Sequence, residues 1–324
     1  MVTRTAKLPS EALPSEDRAA VKLDITVLAG GPGAERKVSL QSGAAVAAAL
    51  VGLGHAVTVR DIRPADLSAL QVPTDFVFIA LHGEFGEDGQ VQDLLARCGL
   101  VFSGSDAAAS TLAMDKAATK RRLAEAGIPT PRYQVHRHGR DRQSLSRWPL
   151  PAVIKPVGSG SSVDIYIVRD PAALDASLER VASRYGTALV EQYIDGPELT
   201  VGILGDQALP VCQICTRREF YDYQAKYVDD DTEYLFDLDL PQELLARIQE
   251  MSVQAHHVLG CRDFSRVDWL VDARTLQPYV LEINTIPGFT SHSLLPKAAA
   301  RAGISFSRLC QRIVDLGLDR AGEW

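Results

Sequence analysis

The sequence predicts a multidomain protein that combines an α/β unit around a parallel sheet with α+β units. Its 324 residues exceed one ordinary domain core and suggest two or three domains. Up to about residue 100, apolar strand-like segments alternate with helical ones, which is typical of a parallel sheet flanked by helices. Beyond residue 132, short strands and glycine-rich turns dominate, which indicates an α+β arrangement.

The N-terminal α/β domain is predicted at residues 22–105, after a loosely ordered extension over residues 1–21 that lacks hydrophobic periodicity. We predict strands at 25–29, 57–60, 76–81 and 100–102, and helices at 40–50 and 91–98. Asp106 is suited to cap one long helix that ends at Gly127. Pro129 and Pro131 prevent that helix from continuing.

Two further domains are predicted at residues 106–201 and 202–324. The last one should contain strands at 208–214, 264–271 and 279–283, with helices at 242–259 and 306–316. A polar stretch rich in tyrosine, residues 217–234, separates apolar segments. Loops of this length are usually functional or disordered.

Composition argues against several classes of protein. The net charge of −7 disfavours a broad nucleic-acid surface, which needs a surplus of Lys and Arg. No apolar run has the length of a membrane span, and residues 1–20 lack the core of a secretion signal, so we expect a cytoplasmic protein without membrane contact. Cys212 and Cys215 have metal-like spacing, but on one strand they would face opposite sides, which favours a structural role.

Polar residues two positions apart mark the strongest candidate site. Arg266 and Asp268 share one face of a predicted strand, and Glu282 and Asn284 share one face of the next. A hairpin loop at 272–277 would place Asp268 opposite Glu282 and Arg266 opposite Asn284. Clustered oxygen ligands indicate a hard cation such as Mg²⁺. An exposed hairpin face on which Arg266 neutralises the acids would have the same spacing.

Phosphate-binding elements are also present. Lys155 ends a strand and precedes the loop 157–162, whose glycines allow backbone N–H groups to approach phosphate, although such a loop is more often plain. Lys116 would by default be a solvated helical lysine. The turn after the first strand has Arg36 where a dinucleotide-binding fingerprint needs a small residue. Glu35 on that turn is a candidate for holding a cationic substrate group.

From about Asp24 to Leu316 the chain resembles the D-alanine:D-alanine ligases of the ATP-grasp superfamily. The order and spacing of many short stretches carry the resemblance. These stretches are AGG (29–31), ERKVSL (35–40), ALHG (80–83), GEDG (86–89), MDK (114–116), GSSV (160–163), GPE (196–198), FYDYQAKY (220–227), EINT (282–285) and PGFTSHSL (287–294).

The resemblance implies a three-domain ATP-grasp fold with ATP between the central and C-terminal domains. The implied catalytic residues are Glu35, Ser161, Tyr227, Arg266 and Ser293. Those implied to line the substrate sites are Val38, Ser39, His82, Gly288 and Leu294. Those implied to bind the nucleotide are Lys116, Lys155, Ser162, Glu191, Ile194, Glu198 and Lys226. The implied metal ligands are Asp268, Glu282 and Asn284.

The implied activity is ATP-dependent ligation of two D-alanines through an acylphosphate, for peptidoglycan precursor synthesis. Two Mg²⁺ ions are implied, with Mn²⁺ as a substitute, and a homodimer is expected because relatives are commonly dimers. Gln192 and Asp164 depart from the pattern, since relatives usually have lysine and glycine there. Alternatives are a ligase for D-lactate, against which Tyr227 counts, a ligase for another dipeptide, and a non-catalytic nucleotide-binding regulator.

Overall fold

The computed structural model describes residues 21–140, 145, 148–160, 163–218 and 232–322. Within these ranges the strands form three sheets with strand orders 2-1-3, 4-7-5-6 and 11-10-8-12-13, numbered along the chain. The predicted extension lies outside them except for its last residue. No helix in the described ranges is long and apolar enough to cross a membrane.

The N-terminal sheet consists of β1 (Asp24–Ala29), β2 (Ala56–Asp61) and β3 (Phe76–Ile79), and both neighbours of β1 run parallel to it. Helix α1 (Arg36–Gly52) connects β1 to β2, and a short 3₁₀ helix (Ser68–Gln71) lies between β2 and β3. Helix α2 (Gln90–Arg97) follows β3. The predicted parallel sheet is confirmed.

The strand predicted at 100–102 is wrong, because only one bridge forms there, between Val77 and Phe102. Gly99 and Gly104 have left-handed backbones, with φ of 68° and 83°, and turn the chain on either side of that bridge.

The single long helix predicted after Asp106 is also wrong. The chain forms α3 (Ala107–Met114) and α4 (Lys116–Glu125), which are separated by Asp115 in an extended conformation. Asp106 caps α3 as predicted, and Asp115 caps α4 by accepting a bond from the backbone N–H of Ala118. The backbone N–H of Lys116 binds the carbonyl of Val157. The break therefore places Lys116 against the loop that follows β5.

The second sheet is antiparallel and contains β4 (Tyr133–Arg137), β5 (Ala152–Pro156), β6 (Tyr166–Val168) and β7 (Thr187–Gln192). Helix α5 (Pro171–Tyr185) packs on one face of it, burying Leu174, Leu178 and Val181. Asp170 caps α5 by accepting a bond from the N–H of Ala173.

The third sheet contains β8 (Glu198–Leu204), β9 (Gln207–Ala208), β10 (Cys212–Cys215), β11 (Glu233–Leu235), β12 (Phe264–Val271) and β13 (Pro278–Asn284). The strand predicted at 208–214 is divided in two, because Pro210 lacks a donor for the ladder. Cys212 is buried and Cys215 only half-buried, which agrees with a structural role.

Helices α6 (Gln242–Val258), α7 (Leu294–Arg301) and α8 (Phe306–Ala321) complete the described chain. Leu309 and Ile313 of α8 share one buried cluster with Val46 and Leu50 of α1, so the C-terminal helix also packs against the N-terminal unit. The predicted domain boundary at 201/202 falls within β8, and the division into three domains stays a prediction.

Candidate active site

The hairpin formed by β12 and β13 has the register that the sequence predicts. Asp268 lies opposite Glu282, and Arg266 lies opposite Asn284. The backbone irregularity in this pair falls after Asp268, so it does not shift the four polar side chains to different faces. All four therefore lie on one face.

Arg266 and Asp268 form a buried bidentate ion pair. Arg266 Nε donates to Asp268 Oδ1 at 2.8 Å, and Nη2 donates to Oδ2 at 2.7 Å. The hydroxyl of Thr200 on β8 donates to Oδ1 at 2.6 Å. Arg266 neutralises Asp268, as the alternative of a simple charged hairpin face predicts. That alternative also predicts an exposed face, whereas Arg266 and Asp268 are only 9% and 4% accessible.

A first cleft gathers most of the residues predicted to act on substrate. The predicted residues that line it are Glu35, His82, Lys116, Arg266, Glu282, Asn284, Gly288, Ser293 and Leu294. These residues come from distant parts of the chain. The turn before α1, the start of α4, the β12–β13 hairpin and the loop before α7 each contribute. Glu87, Thr290 and His292 line the same cleft without having been predicted.

Glu87 is half-buried beside His82, with 3.4 Å between its Oε1 and the ring Nδ1. Burial raises the pKa of the Glu87 carboxyl, and the neighbouring Glu35 adds to that rise. The other ring nitrogen of His82 lies 3.1 Å from the Ser42 hydroxyl. Glu87 belongs to the GEDG stretch, which carries part of the family resemblance. The sequence therefore marked this segment, but it did not assign a role to Glu87.

Backbone freedom lets the cleft walls approach each other. Gly83 has φ of 68°, and a Cβ there would collide with Oε2 of Glu35. A Cβ at Gly288 would lie 2.6 Å from Ser293 Oγ. That Oγ also accepts a bond from the N–H of Thr290 at 2.9 Å, which closes the turn before α7.

A second cleft gathers four of the residues predicted to bind nucleotide. Lys155, Glu191, Ile194 and Glu198 line it, together with apolar side chains on or next to the flanking strands. The apolar residues are Val153, Ile165, Ile167, Leu270 and Leu281. Asp268 lines this second cleft, and Glu282 lines both clefts. The hairpin therefore forms the junction between them.

Three buried charged residues form a cluster, and two of them, Lys155 and Glu191, line the second cleft. Glu191 lies between two lysines, 2.5 Å from Lys120 Nζ and 2.6 Å from Lys155 Nζ. Burial lowers the pKa of Lys120 to about 8. Burial alone would raise the pKa of Glu191, but the two lysines outweigh that effect and hold its pKa below the ordinary range. Lys120 was missed, because nothing in its sequence neighbourhood shows a partner on β7.

Lys116 is not a solvated helical lysine, since it is 7% accessible. Its ammonium donates to the Ser159 carbonyl at 2.6 Å and lies 3.6 Å from Glu282 Oε2. Burial lowers its pKa, and Glu282 opposes that effect. Lys116 is thereby held next to both the loop after β5 and the hairpin.

Two predicted substrate residues do not line either cleft. Val38 and Ser39 are buried in the first turn of α1, and the Ser39 hydroxyl donates to the Ala80 carbonyl at 2.7 Å and accepts from the Gly30 N–H at 2.8 Å. These bonds tie α1 to the ends of β1 and β3, which is a structural task. Ser161, Ser162, Lys226 and Tyr227 lie outside the described residues.

The hairpin oxygens suit a hard cation. Within the described ranges, no group of three or more His, Cys, Asp or Glu side chains is arranged to hold a metal, so an ion would need the amide of Asn284 or ligands of its own. Asp268 Oδ2 accepts one bond and Asn284 Oδ1 accepts one, from the Ile286 N–H at 2.9 Å. Each oxygen has two lone pairs, so both retain capacity for a metal.

Comparison with known proteins identifies the family of this chain. The family model for the C-terminal part of D-ala D-ala ligase matches residues 123–315. The chain belongs to the D-alanine–D-alanine ligase family. The D-alanine–D-alanine ligase of Citrifermentans bemidjiense is 45% identical over 296 residues, which cover 90% of this chain and 95% of the relative. That of Moorella thermoacetica is 41% identical and covers 92% of this chain and 100% of the relative.

Solved structures of the D-alanine–D-alanine ligase family share the fold. The Bacillus anthracis D-alanine–D-alanine ligase complexed with ATP has a TM-score of 0.81 at 33% identity, covering 93% of this chain and 99% of that one. The VanG D-Ala:D-Ser ligase of Enterococcus faecalis has a TM-score of 0.81 at 28% identity, covering 92% and 100%. The predicted ATP-grasp architecture is confirmed.

Proposed function

We propose that this protein uses ATP to join two D-alanines into D-alanyl-D-alanine, a building block of peptidoglycan. The relatives that align over nearly the whole chain are D-alanine–D-alanine ligases, and one related structure contains ATP. The observation that carries the proposal is the hairpin at the junction of the two clefts. Its Glu282 faces both, so a nucleotide in one can react with a carboxylate in the other.

The second cleft provides the chemistry that a nucleotide needs. Its apolar strand residues can enclose a base, and Glu198 stands at its edge as a partner for ribose hydroxyls. Lys155 lines this cleft and Lys116 lines the first one, so positive charge is present on both sides of the junction, where the terminal phosphates would lie. Glu191 holds Lys155 in place but neutralises part of its charge, and Lys120 offsets that loss.

Asp268, Glu282 and Asn284 would hold Mg²⁺ in this proposal, with two ions bound and Mn²⁺ as a substitute. The ions neutralise phosphate charge when bound. The buried pair with Arg266 fixes the orientation of the Asp268 carboxylate before any ion arrives. Such orientation avoids the cost of ordering a ligand during binding.

The first cleft would hold the amino acids. Glu35 would bind the ammonium group of the first D-alanine, with Ser161 and Tyr227, beyond the described residues, completing that site. A carboxylate oxygen of this D-alanine attacks the terminal phosphorus of ATP, and ADP leaves. The amine of the second D-alanine then attacks the carbonyl carbon, and inorganic phosphate leaves with the former carboxylate oxygen. Arg266 and the Gly288 N–H would stabilise the oxyanion formed in that step.

The experiment that tests this function measures ADP release and product mass with single amino acids and with pairs. We expect ADP release to require D-alanine and to yield the dipeptide, with no response to L-alanine. An ester product with D-lactate would instead indicate a D-alanine:D-lactate ligase, and a mixed dipeptide with D-serine would indicate a D-alanine:D-serine ligase. ADP release that does not rise with any amino acid would refute the ligase proposal.

A further inference from the structure

We propose that Asp164 is a positioning residue for ATP binding. Its carboxylate would fix the end of the loop between β5 and β6, and that loop holds Lys116 at the cleft. The inference rests on the proposed function, because the expected effect concerns the nucleotide. It starts from an unusual backbone position. Asp164 has φ of 54°, in the left-handed region that glycine adopts routinely and aspartate only occasionally.

The Asp164 carboxylate collects three donors from two elements. Tyr166 on β6 donates its hydroxyl to Oδ1 at 3.0 Å. At the end of α5, Tyr185 donates its hydroxyl to Oδ2 at 2.6 Å and Arg184 donates to the same oxygen at 2.7 Å. Bonds to an ionised acceptor are about twice as strong as neutral ones. Three of them can hold a backbone conformation that residues with a Cβ otherwise avoid.

The charge states at neutral pH suit this arrangement. The Tyr185 hydroxyl bond is the main cause that lowers the pKa of Asp164, so its carboxylate is ionised. Burial, followed by the bond to Asp164, raises the pKa of Tyr166 and of Tyr185, so both keep the proton that they donate. The Arg184 guanidinium also lies over the Tyr185 ring, 5.2 Å from its centre. The cluster is therefore complete under physiological conditions.

A short chain of contacts connects this cluster to the cleft. The N–H of Val163, next to Asp164, donates to the Gly160 carbonyl at 3.4 Å. Gly160 lines the first cleft, and the carbonyl of its neighbour Ser159 accepts the ammonium of Lys116. Fixing residue 164 thus restricts where the loop can place its contact to Lys116. A looser loop would weaken the ground-state hold on the phosphates, which raises KM more than it lowers kcat.

The experiment compares the steady-state kinetics of Asp164→Gly, Asp164→Asn and Asp170→Ala with the unmodified protein. Glycine adopts φ of 54° without strain, so Asp164→Gly removes the carboxylate and leaves the backbone path accessible. Asparagine also tolerates the left-handed conformation but offers weaker, neutral acceptors. Asp170→Ala is the matched control, because it removes the cap of α5 and so destabilises the same helix at the end away from the Asp164 cluster.

We expect Asp164→Gly to raise the KM for ATP about fivefold with kcat changed by less than about twofold, and Asp164→Asn to have a smaller effect in the same direction. Asp170→Ala should lower the melting temperature and leave that KM unchanged. An unchanged KM for ATP in Asp164→Gly, or an equal rise in Asp170→Ala, would overturn the inference. Inactivity of the unmodified protein with D-alanine would instead count against the proposed function.

Discussion

Replacing Arg266 with methionine tests whether the hairpin site depends on a buried ion pair. Asp268 accepts three hydrogen bonds, and two of them come from Arg266. The Arg266→Met substitution leaves a carboxylate that is 4% accessible and has, among the described residues, Thr200 as its one hydrogen-bond partner. Removing one member of a buried ion pair costs about 3–5 kcal/mol. We therefore expect a large loss of folding free energy together with the loss of dipeptide formation.

The second step adds Asp268→Asn, which removes the orphaned charge. An uncharged amide in the same place leaves at most unsatisfied polar atoms, which cost about 1–3 kcal/mol. The double variant should therefore be more stable than Arg266→Met alone, although it would remain inactive. Such non-additivity is expected only for residues that contact each other.

Urea unfolding of the unmodified protein, both single variants and the double variant provides the measurement. Arg262→Met is the matched control, because Arg262 pairs with Asp106 where both side chains are partly exposed, at 39% and 33%. Exposed pairs are worth about 0–1 kcal/mol, so this control should lose little stability and keep its activity. A double variant less stable than Arg266→Met, or a loss in Arg266→Met no larger than in Arg262→Met, would refute the reasoning.

Three further predictions concern other parts of the chain. Burial lowers the pKa of His256 from 6.5 to about 4, so about 3 kcal/mol of folding free energy present above pH 6.5 should be lost as the pH falls toward 4. In urea unfolding, the free energy of unfolding of His256→Gln should depend less steeply on pH than that of the unmodified protein, and an equal slope would contradict this. Lys120→Met leaves Glu191 to neutralise Lys155 fully, so initial rates should show the KM for ATP raised about tenfold, equivalent to about 1.4 kcal/mol. An unchanged KM would show that Lys120 does not offset the charge of Glu191. Gly43→Ala puts a Cβ 2.5 Å from a side chain of β1 and should cost about 1–3 kcal/mol in thermal unfolding, whereas an unchanged melting temperature would show that α1 can shift freely.

Local patterns predict those features of the fold that depend on neighbours in sequence. The hairpin register followed from a period of two and a short loop, and it is correct for Asp268 and Glu282. The predicted cap at Asp106 is also correct. The prediction of one long helix after it was wrong because Asp115 is compatible with a helix interior but caps a second helix instead. The loop after β5, which the backbone N–H of Lys116 contacts at the break, is distant in sequence.

Contacts between distant residues could not be predicted. Lys120 is an ordinary helical lysine in the sequence, and only the fold places it beside Glu191, on a strand much later in the chain. The structural task of Ser39 likewise depends on the end of β3. The expected homodimer stays a prediction, as do the roles of Ser161 and Tyr227.

The fate of the oxygen atoms of D-alanine tests the central claim most directly. If ATP activates the carboxylate as an acylphosphate, D-alanine labelled with ¹⁸O in its carboxyl group must transfer one labelled oxygen to inorganic phosphate for each dipeptide formed. Mass spectrometry of the phosphate should therefore show one ¹⁸O per molecule from the first turnover. Unlabelled phosphate accompanying stoichiometric dipeptide would contradict activation of the carboxylate at this site.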